Sequence, residues 1–461
     1  MLKLPSKFIE NVRSLLPNEA ELFFEAISGN PATTIRLNPF KKTEAFQSEV
    51  DVPWISNAKY LNKRPSFVAD PLFHAGAYYV QEASSMFLSH IIKQITSTLN
   101  TRSIVLDLCA APGGKTTLLL DQLDDNSLLI ANEIIKSRVN VLEENCIKWG
   151  RSNIMVTNNA PKDFTSLTNF FDIIVVDAPC SGEGMFRKDK NAINEWSEEN
   201  IQLCSIRQQR ILTDILPALK PGGFIVYSTC TFNTCENEEN VIWMEKKFGL
   251  KSIEISFNKS WGIETASQSE GENIFAYRFY PHKVNSEGFF ISCLQKTKEE
   301  TFNSLKIREI KFEKVNAKEL DILSDWVKDI ELFQIINASN TMYALPKTLA
   351  NNIMFLRSKL NVRLSGLKLG QIMNNKLIPD HQLALSIHIN DNIPSLQVEK
   401  SDALKFLRKD TFDVPSGLQN TYLVKHKKTA LGWVKVMPNR MNNYLPINWR
   451  ILKDLRDLLE E

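Results

Sequence analysis

The stretch from Ile104 to Thr117 constrains this chain more than any other. It reads Ile-Val-Leu-Asp-Leu-Cys-Ala-Ala-Pro-Gly-Gly-Lys-Thr-Thr. The apolar, β-branched start suits a fully buried strand, and a run of helix formers follows from Lys115 to Leu123. Small residues and two glycines join them, so the backbone can approach a ligand closely with the helix N-terminus facing it. Strand, turn and helix make the first half of a βαβ unit, and the turn is where a nucleotide-like ligand would lie.

The sequence narrows that ligand. A phosphate-binding loop of the form G-x-x-x-x-G-K-[ST] needs glycine at position 109, where Cys109 stands. Pro112 removes a further backbone N–H from any phosphate cradle. The dinucleotide pattern G-x-G-x-x-G is absent. The remaining use of such a turn is S-adenosylmethionine, with its methionine part along Gly113–Gly114. Its ribose needs an acid at the end of the second strand, where Glu133 sits. Asp107, near the end of the first strand, is placed to orient the loop or to accept a bond from the cofactor's amine. Arg138 is one turn into the next helix, in reach of Glu133 or of the cofactor. Standing alone, Glu133 would read as an acid stabilising a helix N-terminus; after a glycine turn it reads as a ligand.

Strands and helices alternate around this stretch. Strands are expected at Ile104–Cys109, Ser127–Asn132, Ile154–Thr157, Phe171–Asp177 and Gly223–Ser228. Helices are expected at Lys115–Leu123, Lys136–Trp149, Ile201–Leu219 and Thr234–Phe248. That alternation implies a parallel sheet with helices on both faces. Ala276–Tyr280 and Gly288–Leu294 lack a helix between them and would add an antiparallel pair at one edge. The fold class is therefore α/β, Rossmann-like, over roughly residues 76–298. Residues 1–75 read as a small α+β cap, with Phe8, Val12, Leu15, Leu16, Leu22 and Phe23 as an apolar helical stripe. In the cap Thr33–Leu37 reads as a strand and Phe40–Phe46 as the start of another helix. The charged segment Glu299–Glu313 reads as a linker or exposed strand. Residues 299–385 read as a second small α+β, RRM-like module, and 386–461 as a third, with Tyr422–Thr429 and Leu431–Val436 paired.

Length agrees with several domains, since 461 residues predict about three. A net charge of +2 is too small to argue for nucleic acid globally, so any basic surface must be local. Thr421–Arg450 is such a place: six Lys and Arg, no acid, and Tyr422, Trp433, Tyr444 and Trp449 between them. It reads either as an RNA-contacting surface or as a half-buried β-module with core tryptophans. No apolar run is long enough to span a membrane, and the N-terminus carries no signal-peptide pattern. The seven cysteines include no C-x-x-C pair, which argues against a disulfide framework and a structural metal site. They read as reduced thiols of a cytoplasmic protein.

Two of those cysteines close parallel strands, in Asp177-Ala178-Pro179-Cys180 and Ser228-Thr229-Cys230. Ligands of open α/β sheets bind beyond the carboxyl ends of the strands, so both should face the crevice of the glycine turn. A lone cysteine is usually an inert small hydrophobe; two at equivalent strand ends point to catalysis. The chemistry that needs a thiol there is methylation of cytosine C5. That carbon is too weak a nucleophile until a thiolate adds to C6, and it then takes a methyl. An acid at N3 and a base for the C5 proton complete the set. Asp177 is placed as the acid. A free thiol has a pKa of about 8.5, so positive charge should help form the thiolate, with Arg187 and Lys188 as candidates or simply a solvated basic loop.

Cys109-Ala110-Ala111-Pro112-Gly113-Gly114-Lys115, Asp177-Ala-Pro-Cys180-Ser-Gly and Ser228-Thr-Cys230-Thr together resemble the Nol/Nop/Sun family of RNA cytosine-5 methyltransferases. Tyr79-Val-Gln-Glu-Ala-Ser-Ser-Met86 and Gly182-Glu-Gly-Met-Phe-Arg-Lys188 resemble it too, and the likeness covers roughly Ile35 to Leu294. The extended carboxyl end is similar to the bacterial members that modify 16S ribosomal RNA, in which a PUA-like module follows. The resemblance implies that Cys230 is the covalent nucleophile and that Cys180 assists product release. It implies that Cys109 to Lys115, Glu133, Arg138 and Asp177 line an S-adenosylmethionine site. It also implies a monomer with RNA as partner, 16S ribosomal RNA or the small subunit, and neither metal nor membrane. Many members carry an acid near the adenine after the third strand; here Asn158, Asn159 and Asp163 are the alternatives. Competing expectations are a transfer-RNA methyltransferase of the same chemistry and a non-catalytic ribosome-assembly factor that binds RNA.

Overall fold

The computed structural model describes residues 3–99, 102–266, 274–297, 307, 311–312 and 315–460. The expected linker Glu299–Glu313 lies almost wholly outside them. The central unit begins with β1 (Ile104–Asp107), α1 (Gly114–Gln122), β2 (Leu128–Asn132), α2 (Lys136–Trp149) and β3 (Ile154–Thr157). It continues with β4 (Phe171–Asp177), α3 (Glu198–Ile215), β5 (Leu219–Thr229), α4 (Glu238–Phe248), β6 (Ala276–Phe279) and β7 (Phe289–Lys296). The parallel core has the order β5-β4-β1-β2-β3. The chain therefore winds one way from β1 and returns on its other side, which puts a topological switch between β1 and β4, beside the glycine turn.

Burial on both faces explains the continuous apolar runs. Along β1, Val105 enters the cluster beneath Ile92, Leu118 and Leu142, while Leu106 enters the opposite one with Leu212, Val241 and Met244. The strands β6 and β7 do join the sheet, with β7 antiparallel to β5 and β6 antiparallel to β7. They do not form its edge. Glu264–Ala266 pairs beyond β6, and Leu250–Ser252 pairs with part of β7. At the other end Val362–Ser365 pairs antiparallel with β3, so a strand from far along the chain extends the central sheet.

The N-terminal residues form helices Ser6–Leu15 and Ala20–Ser28 and a small sheet of Val50–Asp51, Ala58–Leu61, Thr33–Leu37 and Tyr78–Val80. Phe8, Val12, Leu16 and Phe23 are buried as expected, but Leu22 is 58% exposed and Ile27 takes its place. The helix expected from Phe40 does not form. The Asn38 side chain accepts from Phe40 N–H at 3.0 Å, and Phe46 sits at φ +66. A local side-chain turn has outcompeted a short helix there.

Two four-stranded sheets follow the central unit, over residues 333–379 and 395–443. Trp433 is fully buried and packs edge-on against Trp326 at 5.5 Å, so for this residue the core reading of the basic segment holds. Lys427 and Lys428, both at positive φ, form the two-residue turn between the strands Asn420–His426 and Thr429–Met437. Among the described residues, no helix is long and apolar enough to cross a membrane.

Candidate active site

Gly113 precedes α1 at φ +112, a left-handed conformation that costs glycine nothing. A Cβ on Gly114 would stand 3.3 Å from the Tyr79 ring, so the small residue keeps the turn tight. Behind the turn lies Arg36, a fully buried residue that sequence reasoning missed. Its guanidinium pairs with Asp121, donates to Thr117 Oγ1 at 2.6 Å and Gly114 O at 3.3 Å, and lies over Trp149 at 4.4 Å. The N-terminal sheet thus anchors the first turn of α1.

Asp107 is fully buried beneath the turn. Thr116 donates to its Oδ2 at 2.7 Å, while Oδ1 has no partner among the described residues. Burial pushes its carboxyl up to about 7. An unpartnered buried acceptor of this kind fits a cationic donor. At the end of β2 the Glu133 side chain is 3% exposed and accepts from Ile135 N–H at 2.8 Å. Its other oxygen lies 3.4 Å from Arg138 Nη1, and Arg138 also donates to Ala111 O at 2.7 Å. Glu133 therefore binds the backbone just before α2 and, through Arg138, is tied to the turn. Asn158 donates to Glu133 O at 2.6 Å, and Asp163 accepts from Ala160 N–H at 2.9 Å. Both belong to the rim beside Glu133. Ala110 and Ala111 are buried in the loop between, and Cys109 is half-buried. A glycine floor, an orphan acceptor at one end and a carboxylate at the other fit the ammonium and ribose hydroxyls of S-adenosylmethionine.

All seven cysteines are free thiols. Cys180, after β4, and Cys230, after β5, are half-buried with their sulfurs 3.2 Å apart. Cys230 N–H also donates to Cys180 Sγ at 3.3 Å. Adjacent parallel strands of matched register, Asp177 beside Ser228, bring the two together. Hydrogen bonding to Cys230 and burial hold the Cys180 thiol well above its ordinary value.

The cation at this centre is Lys115 and not the expected basic loop. Lys115 Nζ lies 2.8 Å from Asp177 Oδ2 and is raised in part by the charges of Asp177 and Cys230. Ser228 donates to the other oxygen of Asp177 at 2.9 Å. Arg187 points elsewhere: it pairs with Glu287 at 2.8 Å and donates to Ser286 O, and Lys188 sits 3.5 Å from the same carboxylate.

Two buried carboxylates tie the cysteine loops together: Glu183, inside the Gly182–Lys188 motif but without an expected role, and Glu236, which has no local sequence signal. Glu183 Oε2 accepts from Thr231 Oγ1, Phe232 N–H and Asn233 N–H at 2.6, 2.7 and 2.9 Å, and Oε1 accepts from the Trp196 indole at 2.9 Å. Glu236 accepts from Ser181 N–H, Gln208 and Asn233 at 3.0, 2.7 and 2.8 Å. Each loop thus holds a carboxylate that binds the other. Gly184 lets them approach, since a Cβ there would fall 2.9 Å from Cys230 O. Among the described residues, no cluster of His, Cys, Asp or Glu is placed to hold a metal.

The sheet order and the turn define a Rossmann-like methyltransferase, and comparison with known proteins agrees. Residues 95–295 match the family described as 16S rRNA methyltransferase RsmB/F. Residues 4–83 match the N-terminal domain of 16S rRNA methyltransferase RsmF, and 394–451 the RsmF PUA domain. A ribosomal RNA small subunit methyltransferase F from Pectobacterium carotovorum subsp. carotovorum is 30% identical over 478 residues, covering 96% of this chain and 95% of the relative. The protein of that name from Shewanella loihica is 29% identical over 473 residues, covering 97% and 95%. A solved methyltransferase homolog from Pyrococcus horikoshii is 28% identical with a TM-score of 0.54, covering 64% of this chain and 96% of that one. The chain belongs to the ribosomal RNA small subunit methyltransferase F family.

Proposed function

We propose that the protein transfers a methyl group from S-adenosylmethionine to C5 of a cytosine in 16S ribosomal RNA, in the cytoplasm, through a covalent Cys230 adduct. The observation that carries the reading is the pair of thiols 3.2 Å apart beside the Lys115–Asp177 ion pair, at strand ends next to the glycine turn. Asp107, Glu133 and the Cys109–Lys115 turn would hold the cofactor, whose sulfonium supplies an electrophilic methyl. The chain's own groups do the rest. Lys115 and the Cys230 sulfur are electrostatic neighbours, whereas hydrogen bonding to Cys230 and burial hold the proton on Cys180. Cys230 adds to C6, and electron density moves to C5 as N3 takes a proton. Asp177 passes that proton on from the Lys115 ammonium, 2.8 Å from its Oδ2, so the ion pair as a unit is the acid. After methyl transfer Cys180, its own proton released to solvent, takes the C5 proton, N3 returns its proton through Asp177, and the Cys230–C6 bond breaks to free the Cys230 thiolate.

Bisulfite-type mapping of 16S ribosomal and transfer RNA, with and without the protein, tests the reading. At least one 16S cytosine is expected to lose its mark in the protein's absence. Loss only in transfer RNA would move the substrate, and loss in neither would leave an RNA-binding assembly factor.

Glu183 is expected to matter as a positioning residue. Glu183→Ala strips four donors of their acceptor and frees the loop after Cys230. Displacement of a reacting group by about 1 Å costs on the order of 10²-fold. We expect kcat to fall by about that factor, with cofactor affinity little changed. In Glu183→Gln the amide NH₂ meets the Trp196 N–H, so adding Trp196→Phe should restore part of the rate. Steady-state kinetics on the folded variants checks this; wild-type turnover in Glu183→Ala would remove Glu183 from the machinery.

A further inference from the structure

The strand Val362–Ser365 comes from the unit whose own sheet spans residues 333–379, yet it pairs with β3 of the central sheet. The chain then returns to that unit's sheet as Leu367–Met373. Covering the open edge of β3 would explain the ladder. It does not explain the bonds that continue past the ladder's end. Asn361 O accepts from Asn158 N–H at 2.9 Å. Asn361 N–H donates to Asn159 Oδ1 at 3.0 Å, and the Asn361 side chain donates to Asn158 O at 3.3 Å. A residue far along the chain thus grips the loop after β3 at three points.

That loop in turn holds the backbone that carries the Glu133 carboxylate. Glu133 N–H donates to Thr157 O at 3.1 Å, and Glu133 O accepts from the Asn158 amide at 2.6 Å. The same amide donates to Ile134 O at 3.0 Å. The chain is therefore fixed on both sides of the Glu133 side chain by the end of β3. Asn132, buried at the end of β2, locks the arrangement from below. Its side chain accepts from Asn159 N–H and Thr157 Oγ1 at 3.0 and 2.9 Å and donates to Asn159 O and Leu108 O at 3.0 and 3.1 Å. A carboxamide offers two donors and two acceptor sites, so this one is fully satisfied. Asn132 O also accepts from Ala110 N–H at 2.8 Å, which ties the loop to the glycine turn.

We propose that Asn158 is a positioning residue for the ribose-binding carboxylate of Glu133, and that Asn361 of the following unit holds Asn158 in place. The inference rests on the cofactor reading above. Hydrogen bonds from hydroxyls to a carboxylate contribute about 10- to 150-fold in affinity. They weaken steeply as distance and angle drift, so slack in the backbone of Glu133 erodes recognition of the ribose before it erodes the rest of the site.

The test titrates the full-length protein calorimetrically with S-adenosylhomocysteine and with its 2′,3′-dideoxy analogue, which lacks the ribose hydroxyls. The wild type should prefer the parent by about 10-fold or more. In Asn158→Ala that preference should shrink by about 2- to 10-fold, the worth of an ordinary hydrogen bond. Asn159→Ala/Asn361→Ala keeps the bond from Asn158 N–H to Asn361 O and removes the other two, and its preference should shrink as well. These side chains are exposed or half-buried, so the variants should fold. In the wild-type protein, hydrogen exchange at Asn158 N–H should slow more with the parent than with the analogue, a readout that needs no variant. A purely structural role would weaken both ligands alike. An unchanged preference in either variant, or exchange at Asn158 that does not distinguish the ligands, overturns the proposal while the cofactor reading stands. A wild type that binds neither ligand, or both equally, overturns the ribose-binding role of Glu133 with it.

Discussion

Replacing Cys230 with alanine is expected to lower turnover by on the order of 10⁴- to 10⁶-fold, the loss typical of removing a covalent nucleophile from a catalytic unit. Cys180 loses the Cys230 hydrogen bond in this variant but keeps its burial, and it follows β4 while residue 230 follows β5, so its sulfur does not stand where the nucleophile does. The variant should still fold, because the bonds that fix residue 230 are made by its backbone. Its carbonyl accepts from Gly184 N–H at 2.8 Å and its N–H reaches Cys180 Sγ at 3.3 Å. Cofactor binding should survive, since Asp107, Glu133 and the glycine turn lie at the ends of β1 and β2 and the start of α1, away from residue 230. Labelled methyl transfer to 16S ribosomal RNA measures the first quantity and calorimetric cofactor titration the second. Turnover within tenfold of wild type would dismiss the nucleophile assignment.

The central unit was legible because a parallel strand buried on both faces reads as a continuous apolar run, and Ile104–Asp107 and Phe171–Asp177 are such runs. The strand ends then placed the cysteines without knowledge of any contact. What the sequence hid was pairing at a distance. Val362–Ser365 resembles any short strand, and only the folded chain shows it beside β3. Arg187 looked available because its partner, Glu287, lies 100 residues away. Lys115, read only as part of the cofactor turn, reaches across the switch point to Asp177. Glu183 and Glu236 sit in polar loops where acids are usually solvated, and the donors converging on them bury them. Arg36, flanked by Ile35 and Leu37, offered only the oddity of a charge inside an apolar strand.

Replacing Cys180 with alanine should have a different outcome: a protein–RNA adduct that survives a denaturing gel, with turnover down by about 10²- to 10⁴-fold, the range of lost acid–base catalysis. The order of charges explains why. While Cys230 is free, its hydrogen bond is the largest cause holding the proton on Cys180, with burial next. Once the Cys230 sulfur is bonded to C6, that cause disappears, so the Cys180 thiol gives its proton to solvent more readily and can then serve as the base. The 3.2 Å between the sulfurs puts it against the newly bonded carbon's neighbour at that moment. Alanine at 180 leaves addition and methyl transfer intact but keeps the C5 proton in place, so the Cys230–C6 bond cannot break. The adduct should therefore require both the methyl donor and Cys230, and should vanish in the Cys180→Ala/Cys230→Ala double variant. Free, unmodified protein from Cys180→Ala incubated with 16S ribosomal RNA and cofactor would show that another group removes the proton, because every earlier step needs only groups that the substitution leaves in place.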